Sequence, residues 1–256
     1  MAEHAKGWPE LDAFMARHQR VALMFSAGKD SAACLRLIEP WLDKVAVIWA
    51  NPGRPYPEVV EYMNRVRAAV PHFVEARGNQ PEWVMSNGWP TDVMPWEATP
   101  MGMACTRDPL AVPLVSAEHC RWANMWEPAL HAVRASGASG VIKGEKYTDR
   151  PLPPMQKVFE GREYFRPLLD WTDAEVLKYL GDDLPPGYAR GLTGSLDCMT
   201  CTAFLSRNPQ RLVDLATVNP DAYREVLRPL HYMRRVTIRH MINIDAALEP
   251  WAEPTR

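Results

Sequence analysis

Apolar residues along the first third of the chain alternate between short continuous runs and helical spacing. Residues 21–26 (VALMFS) and 44–53 (KVAVIWANPG) are apolar runs typical of strands that are buried on both faces. Each run is followed by a segment with helical spacing, at residues 31–42 and 57–70, and another such segment, 8–18, precedes the first run. Because strands alternate with helices, the pattern predicts a parallel sheet covered by helices, and we expect the α/β class.

The pattern is lost between Gly78 and Pro113. This stretch is rich in Pro, Trp, Met and Gly and keeps no lasting period, which indicates a long, partly structured insertion. Five tryptophans lie between Trp83 and Trp126. They could form a lid that stacks on a base, although filling a small satellite core is the commoner use of buried indoles.

The alternation resumes after the insertion. Residues 117–136 have helical spacing, and residues 140–146 (GVIKGEK) predict a strand with its exit loop. Residues 164–180 end in a helix that Thr172 can cap. Beyond residue 207 the pattern is mostly helical.

These elements predict a division of the chain into one large domain and an extension. We expect an α/β domain over residues 1–205, with the insertion at about 78–113, and a helical C-terminal extension over 206–256. If one helix of the extension continues through Pro229, four basic residues share a face that could bind a nucleic-acid backbone, although a solvated face is commoner. These residues are Arg228, His231, Arg235 and Arg239.

Composition excludes several classes of protein. The chain has 256 residues, 47% of them hydrophobic, and a formal net charge of -2, so charge alone indicates no partner. No apolar run approaches the roughly 18–20 residues that span a bilayer, and the N-terminus lacks the features of a signal peptide. Five cysteines are too few and too uneven for a secreted disulfide framework. We therefore expect a cytoplasmic protein with no membrane partner.

Residues 25–31 read FSAGKDS and overlap the end of the first apolar run. Backbone N–H groups in a glycine turn that opens a helix form a cradle for an anion, and Lys29 adds a full positive charge. Two common phosphate motifs do not fit, because GxxxxGK[ST] needs two glycines and GxGxxG needs three, whereas this stretch has only Gly28. The alternative is a Lys-Asp turn that binds no ligand.

FSAGKDS resembles the SGGKDS signature of the PP-loop ATP pyrophosphatase superfamily, with Ala27 in place of the first glycine. Enzymes of that superfamily generally cleave ATP between the α and β phosphates to adenylate a substrate. Four further blocks, in order, resemble the adenosine phosphosulfate (APS) and phosphoadenosine phosphosulfate (PAPS) reductase family. They are residues 51–63 (NPGRPYPEVVEYM), 141–151 (VIKGEKYTDRP), 164–180 (YFRPLLDWTDAEVLKYL) and 194–201 (GSLDCMTC).

The resemblance implies a fold and a set of site residues. The fold is a doubly wound, mostly parallel α/β sheet, like that of the adenine nucleotide alpha hydrolases, with the nucleotide at the carboxyl ends of the strands. Asn51 stands where the family usually has an aspartate. Without the resemblance, Lys143, Lys146 and Arg150 would suit an ordinary solvated surface equally well. The implied catalytic residues are Lys29, Asp30, Lys143 and Arg150, and the implied nucleotide-binding residues are Ser26, Ala27, Gly28, Lys29, Asp30, Ser31, Asn51, Gly53, Gly144 and Glu145.

Cys198 and Cys201 form a CxxC motif. Such a pair suits half a zinc site, a redox dithiol or two ligands of an iron–sulfur cluster equally well. The resemblance implies a [4Fe-4S] cluster with Cys120 as a third ligand. The fourth ligand stays open between Cys105, His119, an exogenous group and a vacant iron position. A structural zinc held by four thiolates, including Cys105, is the alternative.

Reductases of this family carry a C-terminal cysteine that attacks the sulfate sulfur, whereas no cysteine follows Cys201 in this sequence. We therefore expect an enzyme that binds ATP with Mg²⁺, cleaves it at the α phosphate and delivers sulfur from the cluster to an activated acceptor. The first alternative is reduction of APS or PAPS by thiols of another protein. The second is an adenine-nucleotide-binding subunit without turnover. The expected partners are an adenine nucleotide, a sulfur-donor or thiol-reductant protein and, as an acceptor, a nucleic acid.

Overall fold

The computed structural model describes residues 8–106, 108, 111–149, 156–194, 196–205 and 208–249. Contacts divide the chain into two compact units, which are described separately. The first unit consists of Met1–Gly78 and Ala123–Cys198, and the second of Asn79–Trp122 and Met199–Arg256. The domain boundary at residue 205 stays a prediction.

The elements follow one another in the order strand, helix, strand over most of the described chain. The strands are β1 (Val21–Phe25), β2 (Val45–Asn51), β3 (Phe73–Arg77), β4 (Trp89–Thr91), β5 (Leu114–Ser116), β6 (Gly140–Ile142), β7 (Val158–Phe159) and β8 (Arg162–Phe165). The helices are α1 (Pro9–Arg17), α2 (Lys29–Leu37), α3 (Pro57–Ala69), α4 (Gln80–Asn87), α5 (Pro100–Thr106), α6 (Ala117–Arg121), α7 (Glu127–Ala135), α8 (Asp173–Leu180), α9 (Gln210–Val218) and α10 (Pro220–Leu248).

The first unit contains a six-stranded sheet in the order β3-β2-β1-β6-β8-β7. All neighbouring strands pair in parallel except β7, which runs antiparallel to β8. From β1 the chain winds outward through β2 to β3 and then returns to place β6 on the other side of β1. The predicted mostly parallel α/β sheet is therefore confirmed, and the point where the strand order reverses lies beside β1.

The central strands are buried because each of their faces is apolar. Ala22, Ile48 and Val141 of three adjacent strands form one core cluster with Ala129 and Val133 of α7. Since side chains alternate along a strand, Val21 and Leu23, both 0% exposed, lie on the opposite face of β1. This burial on both faces explains why the VALMF and VAVIW runs are continuous rather than alternating.

Three strands of the sheet, β3, β7 and β8, were not predicted from the sequence. In β3, Phe73, Val74 and Glu75 are only half-buried because the strand lies at the edge of the sheet, so its sequence lacks a continuous apolar run. β7 and β8 form a short hairpin whose two turn residues, Glu160 and Gly161, have φ of 50° and 73°. Positive φ at both turn residues matches the twist of a two-residue hairpin.

The predicted helix boundaries in the first unit are largely confirmed. Pro57 occupies the first turn of α3, where its missing N–H costs nothing. Thr172 caps α8 in a capping box, in which its side chain accepts a bond from the Glu175 N–H while the Glu175 carboxylate accepts one from the Thr172 N–H.

The second unit has its own core. β4 and β5 pair in parallel, and a cluster of buried apolar residues joins Ala98, Val112 and Leu114 to α10. Trp89 packs against this cluster, whereas Trp96 and Trp122 are 56% and 52% exposed. The tryptophans therefore divide between core packing and exposed surface.

α10 runs without interruption from Pro220 to Leu248, through the buried Pro229. Packing of Tyr232, Met233 and Val236 in the core cluster stabilises the helix against the roughly 3 kcal/mol that an internal proline costs. The four basic residues of the predicted stripe lie on this single helix, where Arg235 pairs with Asp108 at 2.7 Å. Across the described residues, no helix has both the length and the apolar character needed to cross a membrane.

Candidate functional site

The turn between β1 and α2 is held in shape by Ser31. The Ser31 hydroxyl donates to the Gly28 carbonyl at 2.9 Å and accepts a bond from the Ser26 N–H at 3.3 Å. Gly28 is the N-cap residue of α2, in extended backbone, and no side chain caps the helix there. The turn therefore presents the positive end of α2 at the carboxyl end of the central strand, which is the arrangement that binds anions in α/β folds.

Ala27 has a left-handed backbone, with φ of 57°, and is 2% exposed. This conformation costs an L-residue roughly 1–2 kcal/mol. The SGGKDS signature has glycine at this position. The alanine therefore preserves the shape of the loop at some cost in free energy.

The exit loop of β6 lies directly against the start of α2. A Cβ atom added to Gly144 would come within 2.7 Å of the Asp30 carbonyl carbon and 2.8 Å of its oxygen. A side chain at residue 144 would therefore push the two loops apart. The predicted site residues of the FSAGKDS and VIKGEK segments thus meet because residue 144 has no side chain.

Two buried lysines lie at this junction and are linked by shared carboxylates. Lys29 is 6% exposed and Lys146 is 0% exposed. Lys29 Nζ lies 2.9 Å from Asp30 Oδ2 and 2.8 Å from Asp173 Oδ1. Among the described residues, three carboxylates contact Lys146 Nζ, namely Asp30 at 2.7 Å, Asp149 at 3.1 Å and Asp173 at 3.3 Å.

This charge network keeps both ammonium groups protonated. Burial opposes the charge on Lys29, but hydrogen bonds and Coulomb attraction from Asp173 and Asp30 outweigh it and raise the pKa of Lys29 above its usual value. Burial and the nearby charge of Lys29 lower the pKa of Lys146, but hydrogen bonding and Coulomb attraction from Asp30 outweigh them. The pKa of Lys146 is therefore also raised. Burial alone would raise the pKa of Asp173, but the two lysines lower it. At neutral pH the site therefore contains two buried cations held by carboxylates.

A second charged group follows β6. Lys143 pairs with Glu145, and its Nζ lies 4.9 Å from the centre of the Trp126 ring. Glu145 also accepts a bond from Arg166 Nε at 2.7 Å. Glu145 is therefore engaged by two cations, and it positions Lys143 between a carboxylate and an aromatic face.

Asn51 and Gly53 shape the end of β2. The Asn51 side chain accepts a bond from the Gly53 N–H at 2.9 Å and donates one to Glu75 at 2.7 Å. Gly53 has φ of 108°, a backbone that favours glycine. Because β1, β2 and β6 are parallel neighbours, the residues that follow each of them lie along the same edge of the sheet.

Residues 20–203 match the sequence family described as the phosphoadenosine phosphosulfate reductase domain. The chain belongs to this family. The matched range includes the loop, the four ordered blocks and both cysteines of the CxxC motif, so the predicted family is confirmed. The family is enzymatic and is named for a sulfonucleotide.

One solved structure similar to this PAPS reductase family member is that of phosphoadenylyl-sulfate (PAPS) reductase from Candida auris in complex with phosphate. The two chains are 18% identical, the similarity covers 69% of this chain and 80% of the other, and the TM-score is 0.45. No curated protein matches the chain.

The predicted metal ligands are Cys105, Cys120, Cys198 and Cys201. Among the described residues, no group of three or more His, Cys, Asp or Glu is placed to hold a metal ion. Cys120 is buried and Cys105 is exposed, while the Cys201 thiol lies 3.8 Å from the Ala203 carbonyl oxygen. The iron–sulfur cluster and its zinc alternative stay predictions.

Several residues of this family member's site were not predicted from the sequence. Asp173 and Asp149 contact the buried lysines, and the Tyr188 hydroxyl accepts a bond from the Lys29 N–H at 3.2 Å. Asp173 directly follows Thr172, the predicted N-cap of α8. This position next to a helix cap is the one local signal in the sequence that could have indicated Asp173. Arg150, a predicted catalytic residue, lies outside the described residues.

Proposed function

We propose that the chain is an enzyme that acts on an adenine nucleotide whose α-phosphate carries a second anionic group, as it does in ATP, APS and PAPS. The observation that carries this proposal is Lys29. It is a 6% exposed cation in the first turn of a helix that opens from a glycine loop. Lys29 pairs with Asp30 and Asp173, so its cation is held in place beside the start of α2. No side chain caps α2 there, and an uncapped helix N-terminus next to a fixed cation is suited to an anionic ligand.

In the proposed complex, the backbone N–H groups at the start of α2 and the Lys29 ammonium hold the anionic chain of the nucleotide. The adenosine lies along residues 50–53, at the end of β2. Cleavage of the bond to the α-phosphate leaves additional negative charge on the departing group. Fixed donors and cations at this position would stabilise that charge as it develops.

The first candidate reaction is cleavage of ATP between the α and β phosphates, with adenylation of an acceptor and release of pyrophosphate. The likeness of FSAGKDS to the SGGKDS loop favours this reaction. Mg²⁺ would arrive with ATP as part of the substrate. Transfer of sulfur from a cluster to the adenylated acceptor stays a prediction, because the described residues offer no metal-binding group.

The second candidate reaction is reduction of APS or PAPS, which the family match over residues 20–203 favours. A thiolate of a partner protein would attack the sulfonate sulfur and displace the nucleotide as its phosphate. A second thiol would then release sulfite and form a disulfide, which accounts for both electrons. The same loop and lysines would stabilise the departing phosphate.

Two product assays separate these reactions. Pyrophosphate is measured after incubation with ATP and Mg²⁺, with water as the acceptor of the adenylyl group. Sulfite is measured after incubation with APS or PAPS and dithiothreitol, whose two thiols replace those of the partner protein. Pyrophosphate alone supports ATP cleavage, and sulfite alone supports reduction. Lys29→Ala should lower the rate of the active reaction by about 10²–10³-fold, while Lys178→Ala, at an exposed lysine of α8, should leave it unchanged. Formation of neither product would contradict the enzymatic proposal.

A further inference from the structure

Asp173 joins the two buried lysines from outside the loop. It is the first residue of α8, and its side chain is 65% exposed. One oxygen, Oδ1, contacts Lys29 Nζ at 2.8 Å and Lys146 Nζ at 3.3 Å. An anion that approaches Lys29 therefore meets an ammonium group that is already paired with this carboxylate.

The carboxylates of the network differ in how easily they can leave it. Asp30 lies in the first turn of α2, next to Lys29 in the chain, and its side chain is 23% exposed. Asp149 contacts Lys146 and is 37% exposed. Asp173 belongs to a separate helix and is the most exposed of the three described carboxylates. Because the Asp173 carboxylate is exposed and can be hydrated, it can exchange its contacts with the lysines for water without moving the loop.

We propose that Asp173 occupies the place of a ligand oxygen beside Lys29 and is displaced when an anionic ligand binds. This inference rests on the function proposed above and deepens it by naming a positioning residue that sets the affinity and selectivity of the loop. Without ligand, Asp173 holds Lys29 and Lys146 in position. During binding it competes with the ligand, so that a polyanion such as pyrophosphate displaces it more readily than a single phosphate does.

The proposal predicts that removing this negative charge tightens binding of an anion. Inorganic pyrophosphate is titrated into the full chain by isothermal calorimetry at low ionic strength. Asp173→Asn should bind pyrophosphate about 5- to 10-fold more tightly than the wild type, because one charge about 3 Å from Lys29 no longer competes. In the same variant, the ratio of the Kd for orthophosphate to the Kd for pyrophosphate should be smaller than in the wild type.

Further variants distinguish competition by the Asp173 carboxylate from a general effect of net charge and from a loss of stability. Asp173→Glu keeps the carboxylate and should retain wild-type affinity within about twofold, and so should Asp170→Asn, which removes an exposed charge three residues away. Asp173→Ser repeats the test if the asparagine variant unfolds at a lower temperature than the wild type. Lys29→Ala reports whether pyrophosphate binds at the loop at all.

The outcomes distinguish this proposal from the function on which it rests. If Lys29→Ala weakens binding while Asp173→Asn and Asp173→Ser bind as the wild type does or more weakly, Asp173 does not compete and the proposal is wrong. If Lys29→Ala binds pyrophosphate as tightly as the wild type, the anion does not bind at the loop, and the proposed function fails together with the inference.

Discussion

Single residues set the geometry of the loop. Ala27 holds a left-handed backbone, and Gly144 allows the exit loop of β6 to reach the Asp30 backbone. The sequence predicted both as site residues through a family resemblance. The sequence could not show why they matter. The backbone angle of Ala27 leaves no pattern in the sequence, and neither does the close approach of Gly144 to Asp30, which are 114 positions apart.

Ala27→Val should destabilise the protein by about 1–3 kcal/mol, because a β-branched residue is strongly disfavoured at positive φ. Ala27→Gly is the matched control. It relieves the left-handed conformation but adds freedom to the unfolded chain and removes a buried methyl group, so it should change stability by no more than about 1 kcal/mol. Urea unfolding of the three proteins measures the difference. A valine variant as stable as the wild type would show that residue 27 does not hold this backbone.

Gly144→Ala should weaken pyrophosphate binding by about 10-fold or more, because the new methyl group forces the Asp30 backbone to move and misplaces the loop donors. Gly137→Ala provides the control. Gly137 also belongs to the first unit, has φ of 70° and has no neighbouring atom within 4 Å of an added Cβ. That variant should lose stability without losing affinity. Equal affinities in Gly144→Ala and the wild type would mean that this contact does not position the loop.

At the scale of elements, the start of α8 places Asp173 beside the lysines. Thr172→Ala removes the capping box and should cost about 1 kcal/mol of stability. Thr172→Ser keeps the hydroxyl and should recover most of that loss. Thermal or urea unfolding checks both variants. Equal losses in the serine and alanine variants would indicate that the threonine methyl group, rather than the cap, stabilises this helix end.

The end of α1 is fixed to the sheet through Glu163. Its carboxylate pairs with Arg17 at 2.6 Å and with His18 at 2.9 Å, and His18 also contacts the Ser139 hydroxyl at 2.8 Å. The hydrogen bond from Arg17 is the main cause that lowers the pKa of Glu163 below its usual 4.5, with His18 contributing and burial opposing. The stabilisation is therefore present above pH 4.5 and is lost as the pH falls through the lowered pKa.

Glu163→Gln should consequently reduce the free energy of unfolding at pH 7 by about 1 kcal/mol or less, since the carboxylate is partly exposed. The difference from the wild type should shrink as the pH falls below 4.5. Urea unfolding at pH 7, 5 and 4 and at the lowest pH where both proteins fold measures this trend. A difference that stays constant with pH would mean that the charge of Glu163 does not contribute.

Across the whole molecule, the sequence predicts those strands and loops that have a recognisable pattern in consecutive residues. Continuous apolar runs revealed β1, β2 and β6, because these strands are covered on both faces. The edge strand β3 and strand β8 lacked that signal, since half-buried strands mix polar and apolar residues, and β7 is only two exposed residues long. Likewise, the loop was visible in seven consecutive residues, whereas Asp173 and Tyr188 reach Lys29 only through the fold.

The anionic chain of an adenine nucleotide is expected to bind at the start of α2. A crystal structure of the full chain, soaked separately with PAPS and with a non-hydrolysable ATP analogue, would show where it binds. We expect phosphate or sulfate density within hydrogen-bond distance, about 2.7–3.2 Å, of the backbone nitrogens that open α2 and of Lys29 Nζ, with the Asp173 carboxylate turned away. Nucleotide density elsewhere, with this loop unoccupied, would contradict this expectation.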